Sequence, residues 1–135
     1  MSGTEHNSEK RDCKRFTIPG ATASIEAKEY TEEFSPILNL SRGGLRLLGK
    51  KPLDLNSELT LKISIPGEKI PLTLTGAVKW ISFDDEKKKY NIGVQFKPYG
   101  EKKGQNYPGT LVKIIALEQK FLISDKADVE KYEID

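Results

Sequence analysis

The strongest constraint in this chain is an alternation. Leu59, Leu61, Ile63 and Ile65 occupy every second position, Pro66-Gly67-Glu68-Lys69 follow, and Ile70, Leu72 and Leu74 resume the same period. A period of two sends one face of an extended strand to a core and the other to solvent, and Pro-Gly is the chemistry of a tight turn. The segment is therefore predicted to be a β-hairpin. Its second arm continues through Gly76 and Val78 to Trp80. The polar stretch Asp84 to Lys89 then separates it from Tyr90, Ile92, Val94 and Phe96, which predicts a second hairpin.

Upstream, Ala21, Ala23, Ile25 and Ala27 alternate in the same way, and Phe34 to Leu40 supplies another apolar run. Gly43-Gly44 interrupts that run as a turn or bulge would, and Leu45 and Leu47 restart the alternation through Leu48. Short strands with regular turn signals and no intervening helix predict a mainly β fold, a small barrel of about six antiparallel strands. After Pro98 the period changes. Leu111, Ile114, Leu117 and Phe121 recur at helical spacing behind Pro108 and Gly109, so a single C-terminal helix is expected to flank the barrel. The resulting division is a flexible arm over 1–15, the barrel plus its helix over 16–123, and 124–135 as an acidic tail or a helix extension.

A length of 135 residues suits one domain with its own core. Its 22 Lys and Arg against 20 Asp and Glu leave a net charge of +2, too balanced for a domain that coats nucleic acid by bulk electrostatics. Any anionic ligand must be met locally. The lone Cys13 forms no internal disulfide and the lone His6 no zinc cluster. No stretch nears the roughly 20 apolar residues that span a bilayer, and residues 1–15 hold no apolar leader core. The expectation is a cytoplasmic protein without a metal site or membrane insertion. Catalysis is not expected either. Cys13 and His6 share an arm that does not fix them as nucleophile and base, and Asp84, Asp85 and Glu86 precede three lysines at a hairpin tip.

Two polar constellations remain. Arg11 and Arg15, with Lys10 and Lys14 beside them, stand just before Phe16. Two guanidinium forks can close over a planar anion, each matching a phosphate or the O6/N7 edge of guanine. A solvated basic run is the plainer alternative. Asn39-Leu40-Ser41-Arg42-Gly43-Gly44 ends an apolar strand, where alternation places Asn39 and Ser41 on one surface and Gly44 lets the backbone pass close to a ligand. Here the alternative is a polar turn that closes a hairpin.

Taken in order, Arg11-xxx-Arg15 and Asn39-x-Ser41-x-x-Gly44 resemble the paired RxxxR and D/NxSxxG signatures of the PilZ domain family. Gly76-Ala77-Val78-Lys79-Trp80 and Tyr90-Asn91-Ile92-Gly93-Val94-Gln95-Phe96 are similar to that family's later strand pair, which often ends in a Gly-x-x-Phe element. The resemblance runs from about Lys10 to Phe121. It implies a bacterial receptor for cyclic di-GMP, built on a barrel of roughly six strands with a C-terminal helix. It further implies that Arg11 and Arg15 clamp phosphates and guanine edges, that Asn39 and Ser41 contact a guanine, and that Gly44 allows close backbone approach. Asn39 stands where many members carry Asp, and its amide offers a single carbonyl acceptor to guanine N1–H and N2–H. Lys10, Arg42, Gly43 and Trp80 are secondary candidates, with Trp80 either a stacking platform for a base or a rim residue of the barrel. No cofactor beyond the ligand is expected.

The functional expectation is a single-domain receptor. Its arm orders over cyclic di-GMP and relays the signal to an effector protein in motility, biofilm or exopolysaccharide control. It would act as a monomer or a ligand-modulated dimer. Two other readings stay open: a general nucleic-acid-binding barrel, which lacks the expected row of strand aromatics, and a PilZ-like interaction module without ligand binding.

Overall fold

In a computed structural model that describes residues 14–134, with side chains through 122, the alternating segments form six antiparallel strands followed by one helix. The strands are β1 (Thr22–Glu26), β2 (Thr31–Leu40), β3 (Gly44–Gly49), β4 (Glu58–Ser64), β5 (Leu72–Asp84) and β6 (Lys89–Phe96); the helix α1 spans Pro108–Ile134. They close a barrel in the order β1-β2-β3-β6-β5-β4, with β4 pairing back onto β1. The expected fold class is the observed one.

The period of two explains the interior. Leu59, Leu61 and Ile63 of β4 are buried, and their partners across two interfaces, Leu74 and Leu72 of β5 and Ile25 and Ala23 of β1, are buried with them. Burying each such leucine or isoleucine contributes roughly 1.5–3 kcal/mol, so the alternation specifies register as well as strand. The turn between β4 and β5 has Pro66 followed by Gly67 at φ +90°, closed by the Glu68 amide donating to the Ile65 carbonyl at 2.9 Å. That is a type II turn, with proline at its second position and a left-handed residue at its third.

Two apolar residues break the pattern. Ile70 sits outside the alternation it was expected to join: it is 70% exposed, and β5 begins only at Leu72. Phe34 marks a bulge. Between Ala23↔Ser35 and Ile25↔Glu32, β2 has two residues opposite one of β1, and Phe34 absorbs the excess at φ +60° with its ring 78% exposed. Beside the bulge, buried Glu32 accepts from Tyr30 Oη at 2.6 Å, Ser35 Oγ at 3.0 Å and the Lys50 amide. Partial burial and that carboxylate push the Tyr30 phenol up to about 12.

The segment before β1 docks on the end of β2. Phe16 exchanges two backbone bonds of 2.9 Å with Leu40 and, with Ile18, enters the core. At the other end of the chain, Ile114 of α1 is fully buried and Leu117, Phe121 and Leu122 pack against the core. Asn106 positions the start of that helix. Its Oδ1 accepts from the Thr75 amide and its Nδ2 donates to the Thr75 and Lys97 carbonyls, all within 2.9 Å. Pro108 then opens α1, where its missing N–H costs nothing. Among the described residues, no helix is long and apolar enough to cross a membrane.

Candidate ligand site

Pairing across the outer wall of the barrel aligns four residues in one row. Asn39 of β2 faces Arg46 of β3, Arg46 faces Gly93 of β6, and Gly93 faces Trp80 of β5. A bulge lies at each end of the row. In β5 the register shifts between Val78 and Trp80, so Lys79 and Trp80, adjacent in sequence, are both exposed on the wall. In β2 the shift between Ile37 and Asn39 leaves both Leu38 and Asn39 half-buried. Bulges re-aim side chains in this way without ending the sheet.

Gly93 is required by its neighbour. A Cβ there would lie 2.2 Å from Trp80 Nε1 and 2.3 Å from Cε2, so the indole rests directly on the glycine backbone. The ring remains 42% exposed. Together these residues line a groove of about 770 Å³ whose polar walls come from Arg15, Asn39, Arg46, Lys79 and Gln95. Three of its side chains are cations and none is a carboxylate, in a chain whose charges nearly cancel. The groove concentrates positive charge that the overall composition hides.

Arg15 owes its place to Phe16. Burial of Phe16 against Leu40 leaves the preceding residue exposed beside the end of β2, and Arg15 Nη1 donates to Asn39 Oδ1 at 2.8 Å. An arginine and an amide 24 residues apart thus share one end of the groove. Lys10 and Arg11, and most of the arm expected over 1–15, lie outside the described residues.

The segment after Asn39 is a turn with buried polar groups. The Ser41 amide donates to the Gly44 carbonyl at 2.8 Å, Ser41 Oγ donates to the same oxygen at 3.2 Å, and the Gly43 amide donates back to Ser41 Oγ. Leu40 and Ser41 are both buried, so the alternation fails at the strand end, and Ser41 does not share the half-exposed surface of Asn39. Gly43 is exposed, and its carbonyl accepts from the Phe96 amide at 2.8 Å. The close backbone approach at Gly44 is made by β6: a Cβ would stand 2.2 Å from the Val94 carbonyl oxygen. Arg42 turns toward α1, where Nε and Nη2 reach the two oxygens of Glu118 at 3.1 and 3.0 Å. Tyr99 Oη holds the Arg42 carbonyl at 2.7 Å, and burial pushes this phenol up to about 12.

The chain matches the PilZ domain family over residues 9–107, which takes in both short signatures, the row on the outer wall and every strand, and stops one residue before α1. The chain belongs to the PilZ domain family. Two solved structures share the fold. "Inhibitor of motility (MotI/DgrA)" of Bacillus subtilis is 17% identical with a TM-score of 0.59, over 76% of this chain and 46% of that one. The K. pneumonia MrkH–c-di-GMP complex is 17% identical with a TM-score of 0.61, over 86% of this chain and 54% of that one. This chain therefore spans about half the length of each. No curated protein matches it.

Within this PilZ domain the two signatures meet through Arg15 and Asn39, and the strand pair adds groove residues that the short signatures do not contain. In the sequence Arg46, Lys79 and Gln95 each read as an ordinary solvent-facing strand residue. The sequence carries no sign of the β5 bulge, because Trp80 continues the period of Gly76 and Val78 that points to the core.

Proposed function

We propose that this PilZ domain is a receptor that binds cyclic di-GMP in the groove between Arg15 and Trp80. The observation that carries the reading is the hydrogen bond joining Arg15 of the first signature to Asn39 of the second, at the end of a cationic groove without carboxylates. In this reading Arg11 and Arg15 grip phosphate oxygens and guanine edges, where charge-assisted forks are strongest. Asn39 offers its carbonyl to guanine N–H groups when the Arg15 fork turns to the ligand. Ser41 and Gly44 present Asn39 by shaping the turn. Trp80 supplies a stacking face worth roughly 1–3 kcal/mol per base.

The complex named for MrkH, which shares the fold, supports this choice of ligand. The function is reception rather than catalysis. Closure of the segment bearing Arg11 over the ligand creates the surface that a cytoplasmic effector reads, in control of motility, biofilm or exopolysaccharide. Thermal unfolding with ligand tests the reading. Free ligand at one hundred times Kd adds about 2.7 kcal/mol to stability, so saturating cyclic di-GMP raises Tm and GMP at the same concentration does not. An unchanged Tm at high micromolar cyclic di-GMP overturns it.

A further inference from the structure

Arg46 and Lys79 belong to neither short signature, yet both line the groove with Trp80, whose indole rests on the Gly93 that Arg46 faces. Arg46 stands between Asn39 and Gly93 in the cross-strand row, and Lys79 is brought beside Trp80 by the β5 bulge. Among the described residues the ion pairs are Arg42 with Glu118 and Lys97 with Glu58, so neither Arg46 nor Lys79 is committed to a carboxylate. From β2 to β5 the row crosses three strand spacings, about 14 Å. A cyclic dinucleotide carries two phosphodiester anions and two bases, and the cation at the Asn39 end serves only one edge of it. An indole face flanked by a guanidinium and an ammonium is the chemistry that receives a second base with its phosphate.

We propose that Arg46 and Lys79 form a second phosphate grip beside Trp80, so that the ring is held at both phosphodiesters and cyclic dinucleotides are selected over mononucleotides. The inference rests on the ligand reading above.

Titration calorimetry of the full chain with cyclic di-GMP separates the two. Arg46→Ala and Lys79→Ala each weaken binding about tenfold, flatten its dependence on salt and leave Tm unchanged, because both side chains are exposed and outside the ion pairs of the described residues. Arg46→Lys recovers part of the loss, since it keeps the charge without the fork. If the wild-type chain binds and the double variant Arg46→Ala/Lys79→Ala binds equally well, the second grip is wrong and the receptor reading stands. A wild-type chain that does not bind cyclic di-GMP overturns both.

Discussion

The Arg42 guanidinium and the Glu118 carboxylate meet fork to fork, and this pair ties the turn that follows Asn39 to helix α1, 76 residues away in sequence. Arg42 is 43% exposed at its side chain and Glu118 only 8%, so the two partners are unequal: without its mate, arginine rehydrates and glutamate cannot. Arg42→Ala therefore strands a buried carboxylate and costs about 2–3 kcal/mol, whereas Glu118→Ala costs about 1 kcal/mol less. Chemical denaturation of the two variants measures this asymmetry, and equal losses contradict it.

The phenol of Tyr99 steadies the same turn from the other side. Its hydroxyl must stay protonated to donate to the Arg42 carbonyl, and burial raises it from 10.0 to about 12. A folded value above the unfolded one means that the contribution is complete below about pH 10 and lost as pH rises toward 12. The stability difference between wild type and Tyr99→Phe is expected to be constant to pH 10 and to shrink above it. A difference that grows with alkalinity contradicts the assignment.

Gly93→Ala forces the indole of Trp80 off the wall, because the new methyl occupies the space 2.2 Å from Nε1. Trp80 is the sole tryptophan, so its fluorescence reports the event directly. Emission shifts to the red as the ring gains water, with a stability loss of about 1 kcal/mol. Unchanged emission shows that the ring does not rest on the glycine.

Asn106→Asp replaces a donating amide by a group that can only accept while facing the Thr75 and Lys97 carbonyls. The expected loss is about 2–3 kcal/mol at neutral pH, measured by denaturant midpoint, with partial recovery in acid as the carboxyl regains a proton. A loss that is independent of pH points instead to packing.

How much of this was legible in the sequence depended on the range of the interactions. The β4–β5 hairpin could be read directly, because Leu59 to Leu74 carries both its period and its turn chemistry within a few residues. Phe34 and Ile70 could not be placed by hydrophobicity, because a register shift in β2 and the late start of β5 decide their exposure. Arg15 and Asn39 were singled out as residues, but their contact depends on Phe16 docking against Leu40. Arg42 showed only a charge beside a polar turn, and its partner lies on α1. Asn106 resembled any loop asparagine, since its three bonds reach backbone 31 and 9 residues away.

The central claim, a groove that grips cyclic di-GMP through Arg15, is tested most directly by calorimetric titration of wild type and Arg15→Ala, with Tm recorded for both. The account predicts a measurable heat of binding for wild type. For the variant it predicts affinity lower by about tenfold or more and an unchanged Tm, because Arg15 is exposed. Equal affinity for the two chains, or no heat with wild type at high micromolar ligand, contradicts it.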